Sequence, residues 1–457
     1  MITTNGVFKE KNITKALLKF SIPAVITLLV GELYNMVDTF FVGKYVGVNA
    51  IGALSIAFPI QRLMLSLSLL IGVGTATEVA RSYGAKNFER LNKSIVNAIF
   101  LGLVTLILLP IIVFVFKEFI ISKLGASSTI YPLAEEYITI VLIGSLFLGF
   151  TNIFGYILNS LGNPKIVLIA TSIGAIINIV IDHILVGILD IGIAGAAIAT
   201  VVSQIIGFIY AFYQMYKVAK KINLKFNLSF DLNIVKIIVA VGFSTFIVEI
   251  SDAIVIGILN NLLLSVGGDK AIVMIGVITR VSMFMYITML GISSGMQPLA
   301  AYNYGAEEYK KLEKVIEKTT KLAFITSVGI WIVMMLFTPQ IIGSFLREKE
   351  ILKETVKSFR TTISIFPIIT FYYVSIYYYQ AIKKAKTSLF LSVYRQLLLF
   401  IPIVILLGKT LGLFGAWITY PITDLLSSIT GLIYIKKGMA FLNDEKRTSR
   451  DDLVSQS

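Results

Sequence analysis

Twelve stretches of about 20 or more mostly apolar residues follow one another along the chain, divided by short polar breaks. In the first half they lie near Ala16–Phe41, Ile51–Ala76, Ile95–Phe116, Leu133–Leu158, Ile166–Leu189 and Ile191–Tyr216. In the second half they lie near Ile234–Leu264, Ala271–Leu299, Val315–Pro339, Thr361–Ile382, Ser388–Leu407 and Leu411–Ile435. Each can cross a hydrocarbon layer about 30 Å thick as an α-helix. Helices are required there, because lipid offers no partner for free backbone N–H and C=O groups. The one long polar stretch in mid-chain, Lys217–Lys236, separates two sets of six. The pattern predicts an all-α integral membrane protein: a cytoplasmic segment 1–15, a first lobe 16–220, a linker 221–233, a second lobe 234–436, and a polar tail 437–457 expected to lack fixed structure.

The two sets are related. A shift of 221 residues lays Gly74–Ile95 on Gly295–Ile316, and eight of the 22 positions are then identical, among them Gly74/Gly295, Tyr83/Tyr304, Gly84/Gly305 and Lys93/Lys314. Chance would give about one or two, so this is an internal repeat. The same shift pairs Gly47 with Gly268 and Lys165 with Lys386; with one residue deleted, Gly192 and Gly195 pair with Gly412 and Gly415. Six spans is an even number, so both halves enter the membrane from the same side. Parallel repeats of this kind imply two pseudo-symmetric six-helix bundles around a central cavity, an architecture suited to alternating access.

Composition agrees. The chain is 56% hydrophobic and 14% charged, with mean hydropathy +0.86, against about 25% charged residues in soluble domains. Of the 40 Lys and Arg residues, 27 fall at the termini and even-numbered loops, counting Lys19, Lys236, Lys318 and Lys321 at the adjoining span ends; ten fall in odd-numbered loops, and Arg62, Arg280 and Arg395 lie deeper within spans. That bias predicts both termini in the cytoplasm, although five of the ten crowd into one odd loop, Arg347–Arg360. The same rule accounts for the net charge of +14 without nucleic acid. No secretory signal peptide is expected in the polar, basic first sixteen residues. With no cysteine and one histidine, His183, thiolate chemistry and multi-histidine metal sites are excluded and no catalytic constellation remains. An enzyme is not expected, nor a channel, because no pore-loop signature is present.

An ionisable residue at bilayer depth costs at least about 2.5–3.5 kcal/mol, which makes each one a functional candidate. The first half has Glu32 and Asp38 on its first span and Asp182 beside His183 on its fifth. Asn178 and Asp182, four apart, share a helix face. With Asp38 they offer two carboxylates and an amide oxygen, which suits Na⁺, or a proton shared between acids. The second half has Glu249 and Asp252, then Arg280, Arg395 and Asp424. The two arginines are expected to pair with Glu249 or Asp424. The aromatic run Phe371–Tyr379 and Met283, Met285, Met289 and Met296 can accommodate organic cations, but packing is the better expectation. Pro23 can bend the first span.

Several segments together carry a family resemblance: Ser21-Ile22-Pro23 with Tyr34-Asn35-Met36-Val37-Asp38-Thr39, the loop Ala80–Ala85, Gly295-Met296-Gln297-Pro298 through Tyr302-Asn303-Tyr304-Gly305-Ala306, Asn178–Asp182, and Arg395-Gln396 to Pro421-Ile422-Thr423-Asp424. Over nearly its whole length the chain resembles the multidrug and toxic compound extrusion (MATE) family, and looks closest to its DinF/MepA-like bacterial branch. The resemblance implies export of cationic or amphipathic compounds in exchange for Na⁺ or H⁺. It implies a first-lobe cation site at Asp38, Asn178, Asp182 and Thr200, with Asn152 nearby. Glu249 matches an acid on the seventh span of NorM-like members, whereas the tenth span, Phe371–Ala381, lacks the carboxylate found there. Tyr34, Gln297, Glu249 and Arg280 are candidate substrate contacts.

The expectation is therefore an alternating-access antiporter in a bacterial or archaeal cytoplasmic membrane, acting as a monomer on small organic substrates. No cofactor is expected beyond the coupling ion, and no nucleic acid. A lipid-linked oligosaccharide flippase shares the architecture and is the alternative, disfavoured by the acidic first lobe.

Overall fold

The structure is a computed structural model that describes residues 6–224, 230–346 and 348–455. The expected linker at 221–233 includes 225–229, which lie outside the described residues, as do 1–5 of the amino-terminal segment. The described residues are helical apart from short turns, as the lipid requirement dictates. Six spans precede the linker: Ile13–Val46, Asn49–Gly84, Phe88–Val115, Tyr131–Ser160, Pro164–Ile188 and Ile193–Lys221. Leu232–Gly268, Lys270–Gly305 and Tyr309–Leu336 follow it. The tenth span is bent by 42° between Lys349–Thr362 and Phe366–Ala381, so it is not the single straight helix Thr361–Ile382 that hydropathy predicts. Pro367, which has no N–H to donate, sits in the 3₁₀ turn at the break. The last apolar helix, Ala385–Glu445, has 61 residues, about 90 Å at 1.5 Å per residue. It turns at Gly412, whose φ of 62° and ψ of −141° are not helical, and so carries two crossings. Twelve crossings result. Leu108, Ile111 and Val115 of the third span are more than half exposed, as a lipid-facing surface requires.

The polar tail departs from expectation. Its backbone continues as helix to Ser455. No proline or glycine follows Gly438, and the Asp444-Glu445-Lys446-Arg447 run contains good helix formers.

The internal repeat has a backbone signature. Four reversals with positive φ recur in matching places: Gly47 and Gly268, Lys86 and Glu307, Gly162 and Lys383, Gly192 and Gly412. The two glycine pairs were visible as identities. The other two pairs kept the turn and changed the residue.

The chain packs as two compact units, one of Met1–Lys9 with Ile26–Phe246, the other of Glu10–Val25 with Ile247–Ser457. Relative to a division at the linker, residues 16–25 and 234–246 change places. Small residues make the close packing of these exchanged segments possible. In the first unit a Cβ on Gly74 would strike the Ile238 carbonyl, and one on Gly242 would strike that of Leu70. In the second unit a Cβ on Gly295 would lie 2.8 Å from Ser21 Cα, and one on Gly291 2.8 Å from Val25 Cα. Residues four apart on both partners form each joint, the arrangement by which helices approach closely in lipid.

Gly74→Val should therefore cost about 1–3 kcal/mol through overpacking. Gly257→Ala, with nothing within 4 Å of its Cβ, should stay within about 0.5 kcal/mol of the parent. Denaturation of the purified proteins in detergent measures both.

Candidate cation-binding site

In the first unit, four of the expected residues come together. Asn178 and Asp182 on the fifth span are fully buried, and Asp38 on the first and Thr200 on the sixth are nearly so. The Tyr34 hydroxyl, one turn before Asp38, donates to Thr200 Oγ1 at 3.1 Å, tying the first span to the sixth. Tyr137, buried on the fourth span, faces the Asp38 carboxyl. It also reaches Gln61 and Thr200.

The arrangement leaves oxygen unsatisfied. Asp38 Oδ1 and Asp182 Oδ1 are buried and have no hydrogen-bond partner among the described residues. Such an atom is costly unless a cation or proton occupies its lone pair. The Asn178 amide donates from Nδ2 to Asp182 Oδ2 at 2.9 Å, and its oxygen accepts from the Thr200 N–H at 3.3 Å. The two carboxylates and the Thr200 hydroxyl form an oxygen donor set, which fits a hard monovalent ion. A cavity of about 40 Å³ lined by Gln61, Ser145 and Gln204 lies in the same unit, and Gln204 Oε1 is buried without a partner. It has room for a water molecule, which those three polar side chains can hold within an otherwise apolar wall.

Both acids precede a widened helical turn. Val42–Val46 is π-helical just beyond Asp38, and His183–Ile188 is π-helical immediately after Asp182. The Phe41 and His183 rings meet at 6.1 Å, so the two widened segments pack together. Such turns are uncommon and recur at functional positions.

Other expected residues sit elsewhere. Asn152 donates to Ser68 Oγ at 3.1 Å. Glu32 pairs with Arg62 at 3.6 Å. Pro23 lies within an unbroken helix, Ile13–Phe41, two residues before the boundary at which that helix passes from one unit to the other.

In the second unit Arg395 pairs with Asp424 at 2.8 Å and donates to the Tyr286 hydroxyl at 3.1 Å. This network is closed, and it too lies on a π-helical segment, Tyr394–Phe400. Gln396 donates to Asp252. Gln297 is buried and donates to Gln380 Oε1 at 2.8 Å, which makes it a packing contact between spans eight and ten. Glu249 is half-buried and Arg280 exposed. Tyr372, Tyr378, Met285, Met289 and Met296 are buried, in line with packing. Sequence reasoning missed Tyr137, Gln61 and Gln204. Gln61 and Gln204 carried a signal, as amides inside apolar stretches; Tyr137, one of 21 tyrosines, carried none.

Comparison with known proteins adds independent findings. The MatE family model matches residues 23–184 and 233–406. The multidrug export protein MepA of Staphylococcus saprophyticus is 24% identical over 433 residues, 94% of each chain. MepA of Staphylococcus aureus strain MSSA476 is 24% identical over 439 residues, again 94% of each. Among solved structures, the outward-facing conformation of a multidrug resistance MATE family transporter of the MOP superfamily superimposes with TM-score 0.91 at 25% identity, covering 97% of this chain and 99% of that one. A MOP superfamily transporter from Pyrococcus furiosus, described as having a binding pocket of reversed polarity, matches with TM-score 0.90, 25% identity and the same coverage.

Breaking the second-unit pair tests its role. Arg395→Met alone strands Asp424 and should cost about 3–5 kcal/mol, whereas the double change with Asp424→Leu should recover most of that loss. Unfolding free energies of the two variants in detergent decide it.

Proposed function

The chain belongs to the MatE family, and on that premise we propose that it is a secondary antiporter, exporting cationic or amphipathic organic compounds in exchange for Na⁺ or H⁺. It is a transporter and not an enzyme. The observation that carries the coupling proposal is the pair of buried carboxylates, Asp38 and Asp182, each with an oxygen that has no partner among the described residues. The coupling ion is cargo, held by Asp38, Asp182 and Thr200, with Asn178 positioning the Asp182 carboxylate. The multidrug export named for the MepA proteins supports the substrate class.

Asp38 stands 13 residues beyond Val25, where the first span changes units, about 20 Å along the helix axis. Uptake of a cation draws the oxygens of the first and fifth spans together at their widened turns. Displacement of the first span then reaches its amino-terminal part, beside Pro23, and loosens bound substrate. Release of the ion on the other side resets the site. One charge crossing 100 mV supplies about 2.3 kcal/mol, close to a fifty-fold concentration ratio, so one or two ions suffice. The protein acts as a monomer with both termini in the cytoplasm and needs no cofactor besides the coupling ion.

In reconstituted vesicles, Asp38→Asn and Asp182→Asn should each abolish cation-driven efflux of a fluorescent cationic dye while leaving the protein folded. Imposing Na⁺ and pH gradients separately identifies the ion. Full cation-driven export in both variants rejects the coupling site.

A further inference from the structure

The helix that opens the bent tenth span, Lys349–Thr362, is strongly amphipathic and divides its polar face in two. Its acidic edge is occupied: Glu350 pairs with Lys270 at 3.0 Å, and Glu354 acts on the same lysine. Its basic edge is not. Lys353, Lys357 and Arg360, spaced four and three apart, line an open groove of about 560 Å³ together with Phe414 and Ile418 of the last span. No carboxylate lines that groove, and among the described residues neither lysine forms an ion pair. Arg360 is held in place from behind, donating to Met335 O at 3.0 Å and to Thr338 Oγ1 at 3.3 Å. Of its five N–H groups this leaves three for a ligand. Thr361 and Ser364 add hydroxyls at the same wall.

We propose that this groove is a binding site for an anionic phospholipid. Lys353, Lys357 and Arg360 hold the phosphodiester, and an acyl chain lies along Phe414 and Ile418. Three observations single out a lipid rather than a soluble anion. The cations border an apolar wall directly, and Phe414 is 54% exposed there. The helix that carries them is amphipathic and opens the tenth span, so its cations stand where the chain enters the bilayer, at headgroup depth. It also belongs to the one odd-numbered loop that gathers five Lys and Arg residues against the usual charge bias, a concentration that an anionic lipid would neutralise. Nothing in ion-coupled export requires that charge.

The purified full-length protein is titrated in detergent with phosphatidylglycerol, phosphatidylcholine or inorganic phosphate, reading Tm and lipid adducts by native mass spectrometry. Phosphatidylglycerol should raise Tm and survive as an adduct, and the other two should not. Removing two interfacial charges in Lys353→Gln/Lys357→Gln should weaken the apparent affinity about thirtyfold. Lys436→Gln/Lys437→Gln, on the last helix, should leave it unchanged. Should the first pair of changes impair folding, Phe414→Ala serves instead, with weaker phosphatidylglycerol retention expected. A phosphatidylglycerol response equal in the parent and the groove variants, or a phosphate response as large as the lipid's, overturns the proposal.

Discussion

A charge taken out of water must find a partner, and in a protein that lipid surrounds almost everywhere, this requirement shapes the interior more than any packing preference. The two halves meet it differently. In the second, Arg395 satisfies Asp424 and Tyr286, and the network is closed. In the first, Asn178 satisfies part of Asp182, and among the described residues one oxygen of each acid has no partner. A closed network holds a fold together. The open one is the basis of the proposed ion site.

Duplication explains how one scaffold came to hold both. The reversals at Gly47 and Gly268, and at Gly192 and Gly412, are common to the halves. So are the joints at Gly74 and Gly295, where a side chain would strike the helix opposite. Backbone geometry constrains these positions, and their residues did not diverge. Side chains pointing into the bundles were free to change. With the one-residue deletion that aligns Gly192 with Gly412, Gln204 falls on Asp424 and Thr200 on Tyr420. The same places on the scaffold thus carry an amide and a hydroxyl in one half, and an acid and a phenol in the other.

The π-helical turns recur at the chemistry. They follow Asp38 and Asp182 and include Arg395. Each frees or redirects backbone groups beside a charged side chain. In the first half they also let Phe41 and His183 meet, so that the spans bearing the two acids touch where their backbones are least regular.

Much of this was legible in the residues alone. Apolar length predicts spans because lipid forbids an unpaired backbone, and the glycine identities revealed the duplication because only glycine tolerates those turns and approaches. Asp38 and Asp182 stood out by their burial cost, Asn178 by sharing a helix face with Asp182, and Thr200 only through the family resemblance. Tertiary structure alone decided the rest. Tyr137 reaches Asp38 from a span distant in sequence, and hydropathy does not report which way a side chain points. The exchange of residues 16–25 and 234–246 between units was equally hidden, since a helix reads the same whichever neighbours it packs against. Sequence sets what must be buried; only the packing of helices from far apart in the chain determines which buried groups meet.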